Sequence, residues 1–445
     1  MNQTLRICAY LLPLLAILYV SVYGVNVLYW DEFEFVDMME GRGDFWKYVF
    51  APHNVHIMPV GKLVYYAIAC LTGMSSKAMM YLNVIILSIP YLCLVRRIRT
   101  DNVCLAAAAA AIYFTAFFSP RSCVNLLWGF QPTYLAAYSF SILAILSCSS
   151  FLSTRNARHL AAASLCCSVA SLCSAHGILS WSSVFLVMLY SREYRKCLIA
   201  LLPGLLAVLY YAAALPPHVS GGSGSDFSII LIVRYFLTFL SGHLLFNARA
   251  GWVTGFAALA ATGFLILRKK AGRDFLFVAL VSYGILVAAS VTFGRWPFGL
   301  EESLTSRYFQ LQMPLYLAFA ELISLGRNQT EAADGDRAAG SFRSKSWPVL
   351  IVVLAVVSYN FARGMQATGK FHEERQRAAS IMMNFESQPK VAVEHFLYPD
   401  YSRARVRHDF LKARRLNVFS SGVALPDGET GSGGRAGSPR GGAGR

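Results

Sequence analysis

Charge is scarce in this sequence. Only 14% of its 445 residues are Asp, Glu, Lys or Arg, whereas a soluble domain needs about a quarter to cover its surface. That deficit excludes an ordinary water-soluble fold. No pair of its ten cysteines has repeated C-x-x-C zinc spacing, and no disulfide ladder appears. Most sit inside apolar runs (Cys93, Cys104, Cys148, Cys166, Cys167, Cys173) and read as small packing residues. Cys70 and Cys123 are candidates to face outward and to form a bridge. No internal repeat is evident, which argues against an inverted-repeat transporter. The cores of the apolar runs contain almost no ionisable residue; Glu321 lies near the end of one.

What is abundant is apolar sequence. Hydrophobic residues make up 56% of the chain, and several runs reach the roughly 18–20 residues that cross ~30 Å of hydrocarbon. The first, 5–27, lacks a small-residue cleavage site and reads as a retained span. The others are 77–95, 102–119, 131–152, 159–175, 177–190, 197–215, 251–267, 275–293, 308–326 and 347–363. Two further stretches, 56–73 and 229–246, are interrupted by Lys62 and by Arg234 and His243. The net charge of +16 falls largely in short clusters between the runs, an orientation signal and not a nucleic-acid surface.

Those clusters decide the two ambiguous stretches. If 56–73 lies flat on the outer face, Arg96-Arg97-Ile98-Arg99 is cytoplasmic, and Arg155/Arg158 and Arg192/Arg195/Lys196 follow. If 229–246 is re-entrant or interfacial, Arg268-Lys269-Lys270 and Arg273 also lie inside. The expectation is an all-α polytopic membrane protein of about eleven transmembrane helices. Residues 1–364 form the membrane domain, with 28–76 a first outer loop carrying interfacial helices. An outer-face, partly helical segment spans 365–420, its helix beginning with Phe371 to Phe385, and a Gly/Ser/Arg-rich disordered tail spans 421–445. This threading gathers segments 28–56, 120–131, 216–228 and 294–307 on one outer face.

Three motifs fall there. Tyr29-Trp30-Asp31-Glu32-Phe33-Glu34-Phe35-Val36-Asp37 interleaves carboxylates with aromatics that suit a membrane interface. A carboxylate there is either a general base that takes the proton of an acceptor hydroxyl attacking a sugar carbon or one of two oxygen ligands for a divalent cation, Mg or Mn. Asp31, nearest the span, is the first choice of base and Glu32 the second; Glu34 is a sugar or acceptor contact. Pro52-His53-Asn54-Val55-His56-Ile57-Met58-Pro59 puts His53 and His56 three apart, on one face if helical. Two histidines are too few for a zinc site, so no metal ligand set is assigned. They and Asn54 read instead as polar contacts to a phosphate or sugar. Gly294-Arg295-Trp296 and Ser306-Arg307-Tyr308 put two arginines in a short outer loop. Arginine's planar fork suits phosphate oxygens, with Tyr308 beside it. Gln131, in Trp128-Gly129-Phe130-Gln131-Pro132, opens a span on the same face, within reach of a sugar. His176-Gly177 and Gly221 to Gly224 read as turns.

Taken in order, the acids after the first span, the H-N-x-H-x-x-P segment, the W-x-F-Q segment and the G-R…S-R-Y segment resemble bacterial membrane glycosyltransferases of the GT-C superfamily. The resemblance covers residues 1 to about 365, with a weaker Leu416-Asn417-Val418-Phe419 near the end. It implies a polyprenyl-phosphate-linked sugar as donor and inverting transfer to a glycan, lipid or protein acceptor at the outer face of the inner membrane. It makes Asp31 the catalytic acid position, with Glu32 beside it, and sets Arg307, His53 and His56 near the donor phosphate. Val55 and Ile57 depart from the acid and base it implies around the second histidine. The competing functions are an O-antigen polymerase or ligase, whose arginines belong in a large central outer loop, and a transporter or glycolipid flippase, which calls for ionisable residues at mid-bilayer depth.

Overall fold

The computed structural model describes residues 3–54, 56–214, 228–242, 248, 250–267, 275–325 and 338–420. The Gly221 to Gly224 turn, His243, the cationic cluster Arg268-Lys269-Lys270 with Arg273, and the 421–445 tail lie outside the described residues. Among the described residues the secondary structure is helical, with one isolated antiparallel bridge between His53 and His56.

The chain opens with α1 (Gln3–Tyr23), then a 3-10 turn (Trp30–Phe33) and the short helices α2 (Glu34–Glu40), α3 (Phe45–Phe50) and α4 (Pro59–Thr72). Next come α5 (Ser76–Arg96), α6 (Val103–Phe118), α7 (Cys123–Leu127), α8 (Pro132–Thr154), α9 (Ala157–Ser171), α10 (Leu179–Tyr190) and α11 (Tyr194–Ala214). The second half holds α12 (Ile229–Ser241), α13 (Gly251–Leu267), α14 (Phe275–Arg295), α15 (Phe309–Gln312) and α16 (Pro314–Leu325). It closes with α17 (Ala338–Met383), α18 (Lys390–Phe396) and α19 (Tyr401–Ala413). Polar caps start many of these helices. Ser75, Asn102, Asn156 and Ser228 accept backbone N–H groups at the heads of α5, α6, α9 and α12. Gly73, at φ +61°, ends α4 in the left-handed conformation that glycine enters without strain.

Among the described residues, six segments are long and apolar enough to cross a membrane: Gln3–Tyr23, Ser76–Arg96, Val103–Leu127, Pro132–Thr154, Phe275–Phe298 and Ser346–Met383. Other runs read as spans in the sequence form shorter helices. The 15 residues of α9 and the 12 of α10 extend only about 22 and 18 Å at 1.5 Å per residue, less than the ~30 Å of a bilayer core. Apolar side chains nonetheless point outward along the bundle. Leu11, Leu14, Leu15 and Leu18 of α1 and Ile351, Val352 and Leu354 of α17 are all exposed, as a lipid-facing surface requires. The protein is an all-α, membrane-embedded bundle.

Two cores organise it. The larger lies among the long helices and includes Tyr91, Tyr113, Tyr138, Phe117, Phe277 and Tyr283. The second lies at one end, where Phe33, Phe35 and Val36 of the first loop pack with Met382, Phe385, Val393 and Leu397 from the C-terminal helices. The aromatics Phe33 and Phe35, read in the sequence as membrane-interface residues, are therefore fully buried in protein, whereas Trp30 is exposed. Arg407 clamps this second core with paired bonds of 3.0 and 2.6 Å to the Asp37 carboxylate. Trp30 N–H donates to Leu397 O, and Asn417 N–H to Gly73 O. The same end collects residues 119–131, 172–178 and 296–313 through Asn125, His56 and Gln312. The opposite end is tied by Arg97 to Glu321 and Asn102 to Ser346.

Helix α17 runs unbroken through residues 364 and 365, so the membrane segment and the C-terminal segment join through rigid helix. Lys62 does not interrupt its apolar stretch as a stray charge. It is buried, and its Nζ donates to Tyr48 O and Ala51 O at 2.7 and 2.8 Å. Cys70 and Cys123 are free thiols, the first exposed and the second buried, so the suggested bridge is absent.

Candidate functional site

The first loop leaves α1 in extended backbone and enters the 3-10 turn at Trp30, whose φ of +47° is unusual for a bulky residue. Such a conformation costs on the order of 1–3 kcal/mol and needs support from its surroundings. The bond from Trp30 N–H to Leu397 O provides it. A 3-10 turn advances each residue by about a third of a circle, so neighbouring acids face apart. Asp31 stays 27% exposed. Glu32 turns inward and is fully buried. It accepts from Ser76 Oγ at 2.5 Å, Tyr29 N at 3.2 Å and Tyr65 Oη at 3.4 Å. Burial pushes its carboxyl up to about 8 despite these bonds. Gly129 lies so close that any Cβ there would strike the Glu32 carboxylate.

His53 connects the remaining acids. Its Nδ1 lies 2.9 Å from Glu34 Oε2 and its Nε2 lies 3.5 Å from Asp31 Oδ1. The first contact is a hydrogen bond. The second is an ion pair at a distance too long for a well-formed hydrogen bond, and among the described residues the buried Nε2–H has no other acceptor. Burial alone would lower the His53 pKa, but the bonds and charges of Asp31 and Glu34 outweigh it and hold the ring at about 9. Burial would also raise Glu34, and the bond and charge of His53 outweigh that and keep its carboxyl below the usual range. At neutral pH His53 is therefore a cationic imidazole, held between Glu34 and Asp31. Phe130 covers the ring at 5.2 Å.

The two histidines do not share a helical face. His53 and His56 exchange backbone bonds of 2.8 and 2.9 Å across a tight turn, with Asn54 exposed at its tip in left-handed backbone at φ +52°. Asn tolerates that conformation better than most residues. The bridge sends the rings apart. His56 Nδ1 accepts from Ala175 N at 3.4 Å and meets Ser174 Oγ at 3.3 Å. Burial, then the charges of His53 and Arg295, push it down to about 4. His176, which the sequence suggested was a plain turn residue, is buried with its ring 4.7 Å from Tyr134. Burial and the nearby His56 push it down to about 3. Among the described residues, His176 Nε2 and Tyr134 Oη are buried polar atoms without a hydrogen-bond partner, a condition that costs about 1–3 kcal/mol each.

Arg307 lies on a loop pinned from both sides. Asn125 Nδ2 donates to Arg307 O at 2.9 Å, and Gln312 Nε2 donates to Ser303 O at 2.8 Å. The guanidinium pairs with Glu302, which also accepts from Tyr308 Oη at 3.3 Å. Among the described residues, the buried Nε–H of Arg307 has no acceptor. Arg295 ends α14 and lies over the Phe298 ring at 5.5 Å. Gln131 is buried at the head of α8. Arg307 also lines a cavity of about 870 Å³ with Arg121, Arg363, Lys370 and Glu301. Tyr29 senses the charges of both Asp31 and Arg307, after those of Arg375 and Glu374.

The structure thus brings Asp31, Glu34 and His53 into direct contact and sets Arg307 at the cavity wall, with Tyr308 sharing its Glu302 partner. Glu32 and Gln131 are internal, and Asn54 faces outward. Sequence reasoning missed Glu302, His176, Arg121, Arg363 and Lys370. A signal existed for the last two: Arg363, Gln366 and Lys370 recur at the i, i+3, i+7 spacing of one helical face. Among the described residues a three-residue cluster able to hold a metal is Glu386, His408 and Asp409 in the C-terminal helices. The first-loop carboxylates converge on His53 instead. Compared with protein-family models and with curated proteins, the chain matches none.

Proposed function

We propose that this chain is a membrane glycosyltransferase with a GT-C-like arrangement of about eleven transmembrane helices, moving a sugar from a polyprenyl-phosphate carrier to a cell-envelope acceptor at the outer face. On this reading α4 and α12 lie at the interface, and the end that holds the first loop, Arg307 and the C-terminal helices faces outward. What supports it is a partly exposed carboxylate, Asp31, held beside a cationic His53, together with a separate cavity lined by Arg307 and other arginines.

In the reaction Asp31 accepts the proton of the acceptor hydroxyl, whose oxygen forms a bond to the anomeric carbon as the bond from that carbon to the phosphate oxygen breaks. Inversion follows from this single displacement. His53 orients Asp31, and Glu34 balances the imidazolium so that Asp31 does not face an uncompensated cation. The leaving phosphate gains negative charge, which Arg307 and its cationic neighbours stabilise where it develops. Glu32, protonated in large part at neutral pH and enclosed by Ser76, Tyr65 and Gly129, shapes the turn beneath Asp31 and takes no proton from substrate.

The test is sugar transfer from a purified polyprenyl-phosphate donor. Asp31→Asn lowers the rate by at least 100-fold, within the range for a lost general base, with donor binding changed less than threefold. Full activity in that variant removes Asp31 from this role.

A further inference from the structure

We infer that the turn closing α19 binds the headgroup phosphate of an anionic phospholipid, and that this contact seats the C-terminal helices on the bilayer. The contact is independent of the reaction proposed above.

The end of α19 turns three cations outward. Leu416 N–H donates to Leu411 O at 2.9 Å and Arg415 N–H to Lys412 O at 3.2 Å, the pair of bonds by which a helix closes on a left-handed residue. Arg415 takes that left-handed place, at φ +52°. The reversal carries Leu416 back toward Gly73 and leaves Lys412, Arg414 and Arg415 exposed. The helix dipole accounts for a cation in the last turn but not for two more beyond it. Every other basic side chain of α19 has an acid beside it. Arg403 pairs with Asp400, Arg405 with Glu386, Arg407 with Asp37 and His408 with Asp409. Among the described residues, Lys412, Arg414 and Arg415 have no such partner. The 421–445 sequence adds Arg435, Arg440 and Arg445 against Asp427 and Glu429, so it carries no excess of acid to match them.

Asn417 fixes the height of these cations relative to the bilayer. Its N–H donates to Gly73 O at 2.8 Å and its Nδ2 to Met74 O at 2.7 Å, just before α5 begins at Ser76. The same amide reaches Asn26 Oδ1 at 3.4 Å, just past the end of α1 at Tyr23. Lys77 Nζ ties the two helices together by donating to Ser21 O at 2.9 Å. Both α1 and α5 are long and apolar enough to cross a membrane, so Asn417 sits where two spans leave the hydrocarbon. Arg415 and Arg414 follow within about 7–11 Å of chain. The headgroup layer on each side of a bilayer is roughly 5–7 Å deep, and long basic side chains bend to reach it. Apolar surface stands beside the same contacts. Leu71, near Gly73, is 80% exposed, and Val22, next to Ser21, is 57% exposed. Acyl chains cover such side chains while a phosphate meets the cations. A zwitterionic headgroup brings its own cation, which Lys412, Arg414 and Arg415 repel, so the turn selects a lipid of net negative charge.

The experiment places the full-length protein in phosphatidylcholine nanodiscs that hold a small share of a photolabel, either phosphatidylglycerol or phosphatidylcholine with a diazirine near its phosphate. Labelled peptides are then mapped. Each Lys or Arg at an anionic surface strengthens association about fivefold, so peptides covering 412–419 take the phosphatidylglycerol label about tenfold or more over the phosphatidylcholine label. Lys412→Gln, Arg414→Gln and Arg415→Gln together bring the two labels within about twofold there. Labelling around Arg96, Arg97 and Arg99 at the opposite end stays unchanged and shows that the bundle is intact. The charge-preserving set Lys412→Arg, Arg414→Lys and Arg415→Lys keeps the preference. Equal labelling by the two lipids in the parent overturns the inference, as does a preference that survives the Gln set. Loss of the preference in inorganic phosphate, with chloride of the same ionic strength leaving it in place, also overturns it by identifying a site for a soluble anion.

Discussion

Replacing Glu34 with Gln removes a charge from the His53 trio while keeping a side chain that can accept the Nδ1–H bond now measuring 2.9 Å. The stabilisation at stake follows from the His53 ring, which rises from an ordinary 6.5 to about 9. A raised pKa means the folded state holds the proton more tightly. The stabilisation is therefore complete below pH 6.5 and is lost as the pH climbs through 9. That rise corresponds to roughly 3 kcal/mol at 1.36 kcal/mol per pKa unit. Glu34 and Asp31 remain 35% and 27% exposed, so solvent screening reduces this to roughly 2 kcal/mol for the trio. Glu34→Gln forfeits about half. The assay is chemical denaturation in detergent micelles at several pH values, with the His53 ring followed by NMR. The variant is less stable than the parent by about 1 kcal/mol at pH 6.5 to 7.5, and the gap closes by pH 10, where both imidazoles are neutral. The His53 midpoint falls below that of the parent. A gap that stays constant from pH 6.5 to 10, or an unchanged midpoint, refutes the charge argument.

Glu32→Gln tests the opposite acid. The carboxyl is raised from 4.5 to about 8, so the parent loses stability as the pH rises through that window. The variant, which cannot ionise, becomes the more stable of the two by pH 8 in the same denaturation series. Gly129→Ala forces a methyl against the Glu32 carboxylate and destabilises by about 1–3 kcal/mol, read as a lower denaturation midpoint. Arg407→Ala breaks the clamp on Asp37. With Asp37 35% exposed the loss is about 2 kcal/mol, and limited proteolysis cuts the 384–400 connection at least tenfold faster.

Much of the helical scaffold was legible because one physical signal, length of apolar sequence, dominates it. The runs at 77–95, 102–119 and 131–152 coincide with α5, α6 and α8 to within a few residues. Even the interrupted stretches at 56–73 and 229–246 emerge as separate helices, α4 and α12. What the sequence did not reveal was which way each loop side chain turns. Asp31 and Glu32 are chemically near-identical neighbours, yet one is partly open and the other sealed. The difference is made by a 3-10 turn stabilised through Leu397, more than 360 positions away in the chain. His53 and His56 separate for a similar reason, since a two-bond bridge and not a helix sets their directions.

This pattern bears on how the site is held. The groups proposed to do chemistry lie on short turns with little stability of their own, since a 3-10 turn of four residues and a bridge of two bonds bury almost nothing alone. Their rigidity comes from the second core, where Phe33, Phe35 and Val36 pack on Met382, Phe385 and Leu397. Arg407 and Asn417 tie that core to Asp37, Gly73 and Met74. The C-terminal helices are thus a cap whose removal leaves the apolar bundle intact but frees Trp30 from its left-handed backbone. A chain ending after Gly369 therefore inserts into the membrane and loses transfer activity, while the same truncation joined by a separately expressed 370–420 segment regains part of it. Full activity in the truncated chain alone contradicts this account of how Asp31 is positioned.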